Sequence, residues 1–175
     1  LICTAQERVR ILREEAGMDR VVVLPFDEAM RDMQPRAFLE DIIFGKLGAG
    51  FCAAGYDYRF GARGAGDTAL LQELCAAHGV HCEITGCLED GGEKISSTRI
   101  RELLTAGNAA QARALLGRPF SLSGEVVHGK ALGRTLGFPT MNVFLPAGLV
   151  VPAAGVYVCR VYAGGAWRRA VCNIA

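Results

Sequence analysis

The feature that most constrains this chain is a change of hydrophobic rhythm near residue 119. Before it, stretches with helical spacing alternate with short apolar runs. QERVRILREEAG, PRAFLEDIIFGKLG and TALLQELCAAHG carry apolar residues at helical intervals and end on glycines; VVVLPF, FCAAG and VHCEIT are strand-like runs between them. Pro35 suits a first helical turn and Asp67 or Thr68 suits a cap. Such alternation argues for a parallel sheet with helices on its faces, with ligands beyond the carboxyl ends of the strands. EKISSTRIRELLTAG and, behind Asn108, AAQARALLG add two more helices before Gly117 and Pro119. From Ser121 onward only strands and turns are expected: SLSGEVVHGKALG, MNVFL and the GVYVCRVYAGGAWRRAVCNIA run. Two modules are therefore expected, over residues 1–118 and 119–175.

Charge follows the same division. The chain carries a net +1, but residues 119–175 hold five Lys/Arg against one Asp/Glu, and residues 1–118 have a net −3. The basic second part fits a phosphorylated ligand, and fits chance equally well. No aromatic and basic interleaving suggests a nucleic-acid surface, so no nucleic-acid partner is expected. No membrane-spanning helix is expected either: the longest apolar candidate, residues 145–158, is broken by Pro146, Gly148, Pro152 and Gly155. The first residues show no signal-peptide pattern. Seven irregularly spaced cysteines suggest reduced thiols and a cytoplasmic protein. Cys75, His78, His81, Cys82 and Cys87 cluster, but their spacing matches no standard zinc pattern.

Three stretches have the residue types that chemistry needs. ISSTRIR places Ser96, Ser97 and Thr98 at a helix start, where backbone N–H groups lack partners, with Arg99 and Arg101 adding charge. Phosphate binding and simple capping both account for it. GYDYRFGARGAGD has four glycines in thirteen residues. Its Tyr56, Asp57 and Phe60 suit a planar ring, and a long turn ending in a cap is the plainer account. In GKALGRTLGFPTMN, Lys130 and Arg134 flank glycines, and Thr140 and Asn142 fall two apart in a strand-like run, on one side of it. Their neutral oxygens suit Mg²⁺ that shares nucleotide phosphates; a bend whose polar groups satisfy local backbone is the alternative.

In this order the three stretches resemble the bifunctional bacterial riboflavin kinase/FMN adenylyltransferase family, the FAD synthetases. GYDYRFGARGAGD resembles the family's G-x-[DN]-[FY]-x-FG…GD loop, and KISSTRIRELL its ISSTxIR segment. GEVVHGKALGRTLGFPTMNV resembles the kinase signature, with Met141 where the family usually has alanine, and PAAGVYVCRV fits the strand after it. The resemblance spans essentially the whole chain. It implies an α/β Rossmann-like nucleotidyltransferase module over residues 1–118 and a small flavokinase-type β-barrel over 119–175, both truncated. It implies ATP-dependent phosphorylation of riboflavin to FMN and adenylylation of FMN to FAD, with Mg²⁺.

The residues transfer individually. The resemblance assigns ATP phosphate contacts to Ser96, Ser97, Thr98 and Arg101, and flavin-side contacts to Asp57 and Phe60. It assigns the Mg²⁺–ATP pair to Thr140 and Asn142, with Gly129 and Arg134 on the phosphate side. The family's HxGH motif is missing, since the histidines are His78, His81 and His128. That motif is expected upstream of Leu1 and the kinase's glutamate base beyond Ala175, so the catalytic residues are expected outside this chain and the fragment itself is expected to be weakly active or inactive. The alternatives are an enzyme retaining one activity and a non-catalytic flavin- or nucleotide-binding module. Oligomeric state is not readable from these residues.

Overall fold

In the computed structural model, residues 1–129 and 140–175 are described. Two compact units emerge, one formed by residues 22–94, the other by residues 1–21 together with 95–175.

The unit of residues 22–94 is built on two parallel strands, β1 (Phe51–Gly55) and β2 (His81–Thr85), paired from Phe51↔His81 to Gly55↔Thr85. In each strand the second and fourth residues turn inward, so Cys52, Ala54, Cys82 and Ile84 are half-buried between exposed neighbours. Leu71, Leu74 and Cys75 of the intervening helix, Leu39 and Phe60 form the core beneath them. That helix spans Thr68–Ala77; its N-cap is Asp67, whose carboxylate accepts from Leu70 N at 3.0 Å, and Gly79 follows it at φ +69°. Leu39 and Ile42 are buried on the helix that begins at Pro35–Ala37 and continues over Phe38–Lys46 with wider, π-type turns; Leu47 N bonds Ile42 O at 2.9 Å. Each fully buried leucine contributes about 2 kcal/mol through burial. A short helix, Glu28–Asp32, is capped by Asp27, and a two-strand hairpin, Glu89–Asp90 with Glu93–Lys94, turns through Gly91 and Gly92.

One expected strand is corrected. VVVLPF forms no ladder; Val23 is 66% and Phe26 80% exposed. A β-branched run favours extended backbone, but a strand exists through its hydrogen-bonded neighbour. Among the described residues no strand pairs with this run, and the parallel sheet has two members.

In the other unit the first helix, Ala5–Arg10, runs on through Ile11–Glu15 with π-type turns. Its Glu7 is buried and accepts a two-pronged bond from Arg10 (3.0 and 2.8 Å) and one from Ser121 Oγ (2.8 Å). The helices Ser97–Thr105 and Ala109–Leu116 enclose Ile100, Leu104 and Ala112, against which Ile2, Phe120 and Val150 pack. Asn108 stands at the N-cap of the second, without a side-chain capping bond. The strand-only region appears as two antiparallel pairs, Glu125–Val127 with Asn142–Phe144 and Gly155–Ala163 with Ala166–Ile174. Gly164 and Gly165, both at positive φ, make the tight turn of the long hairpin. No closed barrel exists among the described residues.

Candidate functional site

The helix Ser97–Thr105 starts as its sequence dictates. Ser96 caps it, with Oγ accepting from Arg99 N at 3.2 Å. Arg101 folds back over the first turn, donating to Ser97 O (3.0 Å) and Thr98 Oγ1 (3.2 Å). The structure thus brings all four residues to the start of one helix. Ser97, Thr98 and Arg101 are exposed, and Ser96 is half-buried by its cap. Backbone N–H groups, a hydroxyl and a guanidinium at a helix start can hold phosphate oxygens.

The glycine-rich loop follows the carboxyl end of β1, where Tyr56 N still bonds Thr85 O at 2.9 Å. Asp57 is exposed and accepts from Lys94 Nζ at 2.6 Å. That ammonium also lies 4.9 Å from the Tyr56 ring centroid. The Lys94 bond holds the Asp57 carboxyl below its usual range, and the same bond raises Lys94 above its own. Phe60 goes elsewhere: it is 5% exposed in the core, stacked on Tyr58 at 5.4 Å and 6.1 Å from Phe38. Gly66 faces the Phe60 ring so closely that a Cβ there would collide with it. The ring that sequence reading offers to a ligand therefore sits inside, and the exposed rings of the loop are Tyr56 and Tyr58.

Thr140 stands two residues ahead of Asn142, which opens its strand opposite Val127; both polar residues are exposed. The Asn142 amide lies against Gly129, where any Cβ would overlap it. So Gly129 and Asn142 are brought together. Arg134 and Lys130 lie outside the described residues.

Two features escape sequence reading. Lys94 is one; the Gly91–Gly92 pair signals the hairpin that delivers it, but nothing local names Asp57 as its partner. The other is an open cleft of about 420 Å³ lined by Phe26, Arg31, Asp32, Gly61, Arg63 and Gly64. Arg63 is the non-glycine residue at positive φ (54°) among the described residues, and Arg31 is held by Asp32 in a two-pronged ion pair (2.9 and 2.7 Å). The exposed Phe26 ring and Arg63 thus share this cleft with the Arg31–Asp32 pair. Among the described residues no group of three or more His, Cys, Asp or Glu is placed to hold a metal, and no helix is long and apolar enough to cross a membrane.

Helices alternating with a parallel strand pair make this an α/β protein, with a glycine-rich loop beyond β1 in one unit and a hydroxyl-rich helix start in the other. Residues 1–99 match the FAD synthetase family and residues 116–175 match the riboflavin kinase family. The chain belongs to the FAD synthetase family, with a riboflavin kinase segment behind that match. The bifunctional riboflavin kinase/FMN adenylyltransferase of Escherichia coli (strain K12) is 42% identical over 156 residues, covering 89% of this chain and 49% of that protein. The protein of the same description from Bacillus subtilis (strain 168) is 34% identical over 175 residues, 99% and 54% of the two chains. A crystal structure described as a macrolide-efflux protein from Streptococcus pneumoniae superposes with a TM-score of 0.83 at 34% identity, covering 99% of this chain and 55% of that one. The chain spans about half the length of the curated relatives it matches.

Proposed function

We propose that the chain serves flavin-cofactor synthesis, transferring the γ-phosphoryl group of ATP to the 5′-hydroxyl of riboflavin and AMP from ATP to FMN. The observation that carries this reading is the tandem of two family matches on one chain, FAD synthetase over residues 1–99 and riboflavin kinase over 116–175. The division at residues 118 and 119, a Rossmann-like first module and a flavokinase-type barrel behind it are part of the same proposal. They are supported by the parallel β1–β2 pair in the first part and by the two antiparallel strand pairs among the described residues of the second. The seven free thiols suit a cytoplasmic setting.

In the adenylylating part, Ser96, Ser97, Thr98 and Arg101 bind and orient the ATP phosphates, and Asp57 holds the flavin side. Phe60 supports the loop from beneath, and its burial supports a positioning role. In the kinase part, Gly129 and Arg134 contact the phosphates of ATP.

Thr140 and Asn142 would hold Mg²⁺. The donor set fits: a hydroxyl and an amide oxygen are hard, neutral ligands, suited to an ion whose remaining ligands are phosphate oxygens and water. When bound, the ion supplies charge neutralisation at the transferring phosphoryl group. The chain's residues supply position, which is where most of the acceleration of phosphoryl transfer originates.

The test is direct. The gene product is incubated with riboflavin, ATP and Mg²⁺, and the flavins are separated by chromatography. FMN and then FAD are expected. FMN alone, or FAD only from supplied FMN, reduces the assignment to one activity. Tight flavin binding without turnover makes it a binding module.

A further inference from the structure

Three cysteines from three elements meet beneath the parallel strands. Cys52 of β1 and Cys82 of β2 are direct register partners and both turn to the inward face. Cys75, from the helix Thr68–Ala77, packs against them and is fully buried. Neighbouring parallel strands lie about 4.8 Å apart, inside the range of roughly 4.4–6.8 Å between Cα atoms that a disulfide spans. None of the three enters the ligand contacts proposed above.

We propose that Cys52 and Cys82 form an oxidation site, joined by a disulfide across β1 and β2 when the chain meets a peroxide. The thiolate of one cysteine attacks a peroxide oxygen, breaking the O–O bond and giving a sulfenic acid and hydroxide, which takes up a proton as water. The second thiol then attacks that sulfur; the S–S bond forms, the sulfenic S–O bond breaks, and a second water leaves. Two thiols are oxidised by two electrons and one peroxide is reduced to two waters.

The packing selects the pair. Burial, first, and the neighbouring Cys52 and Cys82 thiols push the Cys75 thiol up to about 12, so it keeps its proton and is a poor nucleophile. Cys52 and Cys82 are half-buried, within reach of a molecule as small as hydrogen peroxide. Cys87, in the loop after β2, and Cys172, on the strand Ala166–Ile174, are exposed, which makes them internal controls for non-selective oxidation.

The experiment treats the folded chain with hydrogen peroxide at neutral pH, unfolds it in iodoacetamide, and maps the digest by mass spectrometry. A Cys52–Cys82 linked peptide is expected, lighter by two hydrogens than the sum of its reduced parts and released by dithiothreitol. It should vanish in Cys82→Ser and persist in Cys75→Ala. Should Cys75→Ala fail to fold, native peroxide treatment of the unaltered chain still decides. Recovery of Cys52 and Cys82 as alkylated thiols or as separate sulfinic acids overturns the proposal. So does a link from either residue to Cys75, Cys87 or Cys172.

Discussion

Lys94 donates to Asp57 at 2.6 Å, an ion pair between residues 37 apart in the chain. It fastens the glycine-rich loop to the hairpin turning through Gly91 and Gly92, within a single unit. Both side chains are well exposed, so the pair contributes little to stability. Its consequence is placement: the carboxylate is ionised and aimed, and the ammonium lies over Tyr56.

Asp57→Asn should leave the thermal unfolding midpoint unchanged while weakening FMN binding roughly tenfold, the loss of one charge-assisted contact. Calorimetric titration of FMN beside a thermal melt checks both. A lowered midpoint with unchanged FMN affinity would make the pair structural.

The two proposed sites should separate by mutation. Thr140→Ala should lower FMN formation by about a hundredfold and spare FAD formation from supplied FMN; Arg101→Ala should do the reverse. Parallel assays of the two steps on the gene product decide, and equal loss of both in either variant would argue for one shared site.

Gly129→Ala introduces a Cβ into the Asn142 amide. Riboflavin phosphorylation should fall at least tenfold, with the KM for ATP raised, because backbone and amide must part. Unchanged ATP kinetics would remove Gly129 and Asn142 from the nucleotide site.

Leu74 is 1% exposed in the core under the parallel strands. Leu74→Ala should cost about 3 kcal/mol, the sum of lost burial and a residual cavity. Urea unfolding followed by circular dichroism measures it.

The Glu7 carboxyl is held below its ordinary 4.5 by the Arg10 hydrogen bond; burial opposes that shift, and Ser121 reinforces it. A carboxylate with a depressed folded value stabilises fully above its unfolded value, and that contribution is lost as pH falls through the folded one. Stability should therefore decline below about pH 4.5, and Glu7→Gln should flatten that acid limb while lowering stability by about 2 kcal/mol at neutral pH. Denaturant midpoints across the acid range provide the measurement; an unchanged acid limb in Glu7→Gln would assign it to other carboxylates.

Much was legible because its causes are local. Asp67 and Ser96 cap helices through bonds to residues three positions on, and Gly79, Gly107 and Gly117 follow helix ends at positive φ. The parallel relation of FCAAG to VHCEIT followed from the helix between them, which must cross before the chain can return. VVVLPF misled because a strand needs a partner, and a partner is not a property of the run.

The sequence by itself determined where the helices Thr68–Ala77 and Ser97–Thr105 start and stop, which runs alternate, and which residue types could meet a phosphate, since each depends on neighbours a few positions away. Tertiary structure alone decided that Phe60 is core while Tyr56 faces solvent, that Lys94 takes Asp57, that Glu7 gathers Arg10 and Ser121, and that three cysteines meet. These pairings depend on which distant surfaces exclude water together, and spacing along a chain does not encode that before it folds.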